Sequence, residues 1–328
     1  MIEWKIKHIF NFEKDRLWGS GYAFFGFHGK KGDQYLLQWD EHWLGHLNQD
    51  NQFTWTAGSV NKGLSDNHID IDVSHPHYIS DAPDDSLILA DNGNNKIFKI
   101  YPDRKSAEPF IDTGELGFVD VGNCLYDRNN TLWTHEIRGC KVWQFDINGK
   151  PIRTLGDGTP GFQKEPVSFG DARFNWMYDL RLGPDGNVYV LDSKNFAVRM
   201  IDIANEIVTT VVGTGESGYT GDGGDALQAT LGSNKDVYFD GPLSLSLDED
   251  GNIFIGDTQN HAMRMVERST NIITTIAGKR DFQPHTRNDP QEKDPLRLNL
   301  PWIASLDYYD GCLFVPEDDG DLIVLEKV

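Results

Sequence analysis

The stretch that decides the fold is DGNVYVLDSKNFAVRMID at residues 185–202, which recurs as DGNIFIGDTQNHAMRMVE at residues 250–267. Both copies contain Asp-Gly-Asn and then an apolar run that ends at an Asp. An Asn follows that Asp after three residues, and an Arg follows it after seven. With this Asp as an anchor, weaker copies of the pattern appear elsewhere in the chain. The six anchors stand at residues 39, 91, 136, 192, 257 and 316.

Each repeat holds short runs of alternating polar and apolar residues between glycine-rich turns, such as LSLSLD (243–248) and NIFIGD (252–257). Alternation of this kind, with hairpin turns between the runs, is typical of antiparallel strands. The spacing also closes on itself from the last anchor through the C-terminus to the first. We therefore predict an all-β, six-bladed β-propeller of four-stranded antiparallel blades, formed by residues 1–328 as one domain. The N-terminal run WKIKHIF (4–10) is expected to complete the last blade.

Composition narrows the classes of partner. The chain has 328 residues, 38% of them hydrophobic, and a formal net charge of -21. A surface with this much negative charge repels nucleic acid and anionic lipid, and we therefore expect neither as a partner. No segment has the length and apolarity of a membrane span or a secretion signal, and the three cysteines form no CxxC motif. We expect a cytoplasmic protein, as a monomer or weak homo-oligomer, that takes a small-molecule or sugar ligand.

The innermost strand of each blade should carry one set of side chains into the central channel. On blades 1 to 4 these positions hold polar or titratable residues: His28, Tyr78, Asn123, Asp179 and Arg181. Water in the channel could satisfy such groups, and Asp179 could simply pair with Arg181. Alternatively, Asn123 and Asp179 supply oxygen ligands for one divalent cation (Ca, Zn or Mn) at the channel mouth.

The repeat resembles the blade of the NHL-repeat family of six-bladed propellers. The resemblance rests on PLSLSLDEDGNIFIGDTQNHAMR (242–264) and MYDLRLGPDGNVYVLDSKNFAVR (177–199). Lactonase-like propellers hold a cation with Asn and Asp at the starts of inner strands, which implies the same role for Asn123 and Asp179, although their blade-1 Glu has no counterpart in YAFFGFHG. Peptidyl-hydroxyglycine lyases of the NHL group place a metal-binding His directly after a Pro on several blades. Only His77 matches that pattern.

Titratable and aromatic residues concentrate at the predicted channel rim. His77 or Tyr78 could transfer a proton, and Arg181 or Arg138 could stabilise developing negative charge. The catalytic candidates also include His135 and Glu136, although a loop with these charges could equally be a solvated surface. The predicted substrate contacts are Trp39, Trp176, Trp302, His75 and Asp91, where tryptophan faces could stack on a sugar or serve only as packing.

These residues predict a stand-alone propeller enzyme, a lyase or hydrolase acting on a small or carbohydrate-like molecule with the possible help of a metal ion. The alternative is a non-catalytic propeller that binds a protein or glycan. The chain contains no complete catalytic motif that decides between the two functions.

Overall fold

The computed structural model describes residues 3–11, 27–30, 33–48, 52–58, 66–233, 239–278, 283, 287–317 and 321–328. The strands among these residues form six sheets of four or five strands, which follow one another along the chain. The chain is a six-bladed β-propeller, as its repeat predicted. Each blade alternates inward and outward side chains, so the apolar cores lie between neighbouring sheets.

The first three blades are formed by strands between residues 27 and 155. Blade 1 consists of β2 (Phe27–Lys30), β3 (Asp33–Gln38), β4 (Trp43–Leu47), β5 (Phe53–Ala57) and β6 (His68–Ile69). Blade 2 consists of β7 (Pro76–Asp81), β8 (Leu87–Asp91), β9 (Lys96–Ile100) and β10 (Ala107–Asp112). Blade 3 consists of β11 (Val121–Tyr126), β12 (Leu132–Glu136), β13 (Lys141–Phe145) and β14 (Pro151–Leu155).

The other three blades complete the ring. Blade 4 consists of β15 (Val167–Ser168), β16 (Met177–Leu182), β17 (Val188–Asp192), β18 (Ala197–Asp202) and β19 (Ile207–Val212). Blade 5 consists of β20 (Gly224–Asp225), β21 (Ser244–Leu247), β22 (Ile253–Asp257), β23 (Ala262–Glu267) and β24 (Ile272–Gly278). Blade 6 consists of β25 (Asp307–Tyr309), β26 (Cys312–Pro316), β27 (Asp321–Lys327) and the N-terminal β1 (Trp4–Asn11).

The ring closes where β1 pairs antiparallel with β27, which confirms the predicted N-terminal strand. The register runs from Trp4 opposite Lys327 to Asn11 opposite Asp321, with one irregularity after Ile6. Trp4, Ile6 and Ile9 are buried in the core between blades 5 and 6. Burial of each such side chain contributes roughly 1.5–3 kcal/mol, so the strand closes the ring mainly through apolar packing and its backbone ladder.

The repeated Asp, Asn and Arg residues form one buried hydrogen-bonding unit. Asp192 accepts hydrogen bonds from the backbone N–H of Asn175 (2.7 Å), the Asn195 side chain (2.8 Å) and Nη1 of Arg199 (3.2 Å). In blade 5, Asp257 accepts hydrogen bonds from the backbone N–H of Gly232 (2.7 Å) and the Asn260 side chain (2.9 Å), and Arg264 forms an ion pair with it at 3.6 Å. The unit ties the end of the second strand to the third strand and to the segment that enters the blade. This shared function explains why the chain repeats these residues.

Three details differ from the sequence-based expectation. In blade 1 the second strand ends at Gln38, which is fully buried, so the anchor is one residue before Trp39. In blade 6 the inner strand is only Asp307–Tyr309, and residues 302–306 approach it without ladder pairing. Blades 1, 4 and 5 each carry an additional two-residue outer strand. No helix within the described residues is long and apolar enough to cross a membrane.

Candidate functional site

A small pocket opens at the channel mouth, on the rim where the inner strands of the blades begin. We call it the channel pocket. It is lined by Trp39, Pro76, His77, Tyr78, Asn123, Tyr178, Asp179, Arg181, Ala304 and Ser305. The structure thus brings together six of the predicted site residues, from four different blades. Of His28, the structure describes the backbone only.

A register irregularity at the start of three inner strands aims these side chains. The pairing shifts between Pro76 and Tyr78 in blade 2, between Val121 and Cys124 in blade 3, and between Met177 and Asp179 in blade 4. Such bulges commonly redirect side chains beside functional sites. Here the irregular segments contain His77, Asn123 and Tyr178, all of which line the pocket.

The carboxylate of Asp179 is the centre of the network beneath the pocket. It accepts hydrogen bonds from the backbone N–H groups of Leu180 (2.7 Å) and Leu245 (2.8 Å) and from the side chain of Asn123. The guanidinium of Arg181 binds it through both Nε (2.9 Å) and Nη2 (3.1 Å). Burial raises the pKa of Asp179, and Arg181 and these hydrogen bonds oppose that rise. The ion pair therefore sits in a fully hydrogen-bonded setting.

Arg181 connects blades 2, 4 and 6. It stacks over the ring of Tyr78 at 4.4 Å and donates hydrogen bonds to the Tyr78 hydroxyl and to the carbonyl of Leu306 (3.0 Å). The carboxylate of Asp307 lies 3.6 Å away. Burial alone would lower the pKa of Arg181. Asp179, Tyr78 and Asp307 raise this pKa by more than burial lowers it, so the guanidinium stays charged. Since its donors are engaged by protein atoms, Arg181 acts as a positioning residue.

The network determines which nitrogen of His77 carries the proton. Because a carboxylate only accepts hydrogen bonds, Asn123 must direct its NH₂ group at Asp179 and its carbonyl oxygen at His77. That oxygen lies 2.9 Å from Nδ1 of His77, so Nδ1 is the protonated nitrogen. Burial lowers the pKa of His77 below 6.5, although Asn123 and Asp179 act in the opposite direction. Nε2 is thus an unprotonated base at neutral pH, and no described residue hydrogen-bonds to it.

His135 lies behind the pocket wall. Its Nε2 accepts a hydrogen bond from the backbone N–H of Asn123 (3.0 Å), and the residue is fully buried. Burial lowers its pKa to about 3, helped by His77, so the ring is neutral. A Cβ at Gly122 would lie 2.2 Å from the imidazole, so only glycine permits this contact. The position assigns His135 to support of Asn123 and not to contact with a ligand.

Three other candidates lie outside the channel pocket. Glu136 is buried and accepts hydrogen bonds from the Val119 N–H (3.1 Å) and from Nε1 of Trp143 (2.9 Å). Asp91 is fully buried and accepts hydrogen bonds from Ser74 and Asn94. Arg138 is paired with Asp120, and its side chain is half exposed. The first two are blade anchors, and their geometry does not favour contact with a ligand.

Trp176, Phe239 and Trp302 form an aromatic group with Tyr178, and of these four rings only that of Tyr178 lines the channel pocket. Phe239 stacks on Trp176 with 5.8 Å between the ring centroids, and it meets Trp302 edge-on with 5.7 Å between the centroids. Tyr178 lies edge-on to Phe239 at 5.9 Å and contacts His77 at 5.2 Å. Sequence reasoning missed Tyr178 and Phe239 as functional candidates. The signal for Tyr178 was its place directly before Asp179, whereas Phe239 lies in an inter-blade loop without a repeat position.

Trp39, which also lines the pocket, packs on His75 with 4.2 Å between the ring centroids. The backbone N–H of His75 donates to Nδ1 of His42 at 3.0 Å, and the two imidazoles meet edge-on at 4.3 Å. Burial lowers the pKa of His75, and His42 lowers it further. Trp39 reaches the pocket and His75 packs behind it.

The donor set around Asn123 and Asp179 does not fit the predicted divalent cation. Both oxygens of Asp179 accept hydrogen bonds from N–H groups, one of them a guanidinium, and the Asn123 oxygen accepts from His77. A hard cation needs several oxygen ligands directed at one point. In the part of the chain that the structure describes, no group of three or more His, Cys, Asp and Glu side chains could hold a metal ion.

Comparisons with known proteins agree with the fold. No family model matches the chain. Human NHL repeat-containing protein 2 is 30% identical over 148 residues, which are 44% of this chain and 19% of that protein. The chain thus covers less than a fifth of this relative's length. Among solved structures, an auxiliary nutrient binding protein from Bacteroides ovatus has a TM-score of 0.67 at 11% identity, covering 100% of this chain and 78% of that one.

A second solved structure is a virginiamycin B lyase from Staphylococcus aureus. It has a TM-score of 0.57 at 12% identity and covers 99% of this chain and 100% of that one. At such low identity the likeness concerns the fold alone. Propellers of this shape therefore include both an enzyme and a binding protein. The chain is a six-bladed β-propeller that is homologous, over part of its length, to NHL repeat-containing proteins.

Proposed function

We propose that the protein is an enzyme, a lyase or hydrolase, that uses His77 as a general base on a small molecule bound in the channel pocket. The observation that carries this proposal is the fixed tautomer of His77. Its Nδ1 proton is directed at Asn123, which leaves Nε2 unprotonated beside the pocket. A base oriented by a second residue, which a third residue holds in turn, is the usual construction of a proton-transfer site.

The remaining pocket residues divide into two roles. Asn123, Asp179 and Arg181 orient His77 through a continuous chain of hydrogen bonds. Burial raises the pKa of Tyr78 well above its usual 10, so its hydroxyl keeps its proton and can serve as an acid or a hydrogen-bonding group. No step in this mechanism depends on a metal ion.

The surroundings of the pocket favour a neutral or cationic substrate with an apolar or sugar-like face. The charged groups of the network are Arg181 and the carboxylates of Asp179 and Asp307, and the chain carries a net charge of -21. Trp39 and Tyr178 line the pocket and offer ring faces for stacking. A propeller of similar shape is a lyase, which supports the reaction class by analogy of fold only.

The experiment is a turnover screen of neutral lactones, esters and glycosides with wild-type protein and the variant His77→Ala. We expect the variant to lose about 100- to 10,000-fold in kcat/KM, the usual contribution of a general base. His75→Ala is the matched control, because His75 lies two residues away and does not line the pocket. Equal turnover by wild type and His77→Ala would contradict the proposal.

A non-catalytic role in binding a glycan or protein is the second candidate. The partly buried rings of Trp176, Phe239 and Trp302, packed against Tyr178, favour it, because such rings can stack on sugars without chemistry. In that case Trp302→Ala should weaken glycan capture in a calorimetric titration, and neither wild type nor variant should show turnover.

A further inference from the structure

Ser305 is an unassigned polar residue in the channel pocket. It lines the pocket together with His77, and only 7% of its surface is exposed. Among the described residues, its hydroxyl has no hydrogen-bonding partner. The hydroxyl is open to the pocket and is therefore available to a molecule bound beside His77.

Other buried serines on the inner strands use their hydroxyls structurally. Ser80 donates to the carbonyl of Cys124 at 2.8 Å, and Ser244 donates to the carbonyl of Ile303 at 2.8 Å. Ser246 accepts from the backbone N–H of Tyr308 at 2.9 Å. Each of these bonds joins one blade to the next. Ser305 lies in the segment that leads into the inner strand of blade 6, and its hydroxyl forms no such bond to a residue that the structure describes.

The backbone next to Ser305 is connected to the hydrogen-bond network beneath the pocket. The carbonyl of the next residue, Leu306, accepts a hydrogen bond from Nη2 of Arg181 at 3.0 Å. Arg181 also binds Asp179, and Asp179 binds Asn123, which orients His77. One network therefore connects the backbone beside Ser305 with the base that faces the same pocket.

We propose that Ser305 is the nucleophile of the channel pocket and that the substrate is an ester or lactone. This inference rests on the proposed role of His77 as a base. Oγ of Ser305 forms a bond to the acyl carbon while its proton passes to Nε2 of His77. The carbon–oxygen bond to the leaving alkoxide then breaks, and the alkoxide takes the proton from His77. Water, deprotonated by the same nitrogen, releases the acid and restores Ser305.

Methanesulfonyl fluoride is a small probe for this chemistry. The Oγ–S bond forms, the S–F bond breaks, fluoride leaves and His77 takes the proton. Trypsin should release residues 298–327, a peptide in which Ser305 is the only serine, and fragment ions separate it from Tyr308 and Tyr309. We expect an adduct at Ser305 in the wild type, none in Ser305→Ala, and labelling slowed about 100-fold or more in His77→Ala. Ser246→Ala is the control variant and should still be labelled at Ser305.

A second variant keeps the test decisive. Ser305→Cys should be alkylated by iodoacetamide at position 305 faster with His77 present than in the His77→Ala background, while the buried Cys124, Cys140 and Cys312 react little. No adduct at position 305, or equal rates with and without His77, would overturn the assignment of Ser305. If labelling fails while turnover still depends on His77, only the nucleophile is wrong. If turnover is independent of His77, the proposed function itself fails.

Discussion

Nε1 of Trp143 donates a hydrogen bond of 2.9 Å to Oε1 of Glu136, in the place where blades 4 and 5 pair an aspartate with an arginine. Trp143 follows Glu136 by seven residues, the same spacing that joins Asp192 to Arg199 and Asp257 to Arg264. Blade 3 thus keeps the position of the repeat but satisfies its buried acid with a neutral donor.

Loss of this bond should weaken blade 3. Trp143→Phe keeps an aromatic ring but removes the donor to a buried carboxylate. We therefore expect the free energy of unfolding to fall by about 1–3 kcal/mol. Urea denaturation followed by circular dichroism measures the effect. Trp55→Phe, in blade 1, is a comparison for the loss of indole packing. An unchanged denaturation midpoint in Trp143→Phe would show that the bond contributes nothing.

The buried acid of blade 2 is Asp91, and it has neither an arginine nor a tryptophan seven residues later, because that residue is Phe98. Burial raises the pKa of Asp91 from 3.8 to about 7, despite hydrogen bonds from Asn94 and Ser74 that lower it. A raised folded-state pKa means that the folded protein keeps a proton that the unfolded chain releases. The contribution of Asp91 to stability is therefore full below pH ~4 and declines as the pH rises towards ~7.

The variant Asp91→Asn tests this pH dependence. Relative to the variant, the wild type should lose up to about 4 kcal/mol of unfolding free energy between pH 4 and 7, at about 1.4 kcal/mol per unit of pKa difference. Denaturant titrations at several pH values provide the measurement. Burial also raises the pKa of Asp192 and Asp257 to about 6, so the difference between the two proteins isolates Asp91. Parallel pH curves for wild type and Asp91→Asn would contradict the prediction.

The blades could be predicted from the sequence because each copy of the repeat contains the residues that its strands and turns need. Alternation, turns and the Asp–Asn–Arg unit are local, so a single copy of the pattern defines a blade. The same reasoning placed Tyr78, Asn123, Asp179 and Arg181 at one channel mouth, where they lie. Parity along a strand was sufficient for that prediction, because each inner strand begins at the same rim.

The sequence could not show how these residues divide their hydrogen bonds. Asn123 and Asp179 are plausible cation ligands by type, yet Arg181 and backbone N–H groups occupy the carboxylate. Ser305 was not selected, because its significance depends on the absence of a bond that Ser246 makes. Contacts between blades distant in sequence, such as Arg181 with Leu306, carry no local pattern.

The donor geometry around Asp179 predicts that metal removal has little effect. Dialysis against EDTA should leave the thermal unfolding temperature of the wild type within the error of the untreated protein, because Arg181 already neutralises the carboxylate. Elemental analysis before and after dialysis gives the second readout. One equivalent of Ca, Zn or Mn that stabilises the wild type and is lost in Asp179→Ala would show that the cation displaces these hydrogen bonds.

The pH dependence of His77 tests the orientation of the base. Burial lowers its pKa below 6.5, and a general base works only when deprotonated. Activity should therefore fall as the pH drops through a value below 6.5 and stay level around pH 7. Asn123→Asp would place a carboxylate beside the Nδ1 proton, which favours the imidazolium form and should move this limb to higher pH. Asn123→Ala lacks the added charge and is the control.

Proton NMR titration of the His77 ring gives the same pKa without a substrate, with His77→Ala identifying the resonance. A wild-type pKa above 6.5 would contradict the effect of burial on His77, and the lack of an upward shift in Asn123→Asp would contradict the geometry that joins His77 to Asn123.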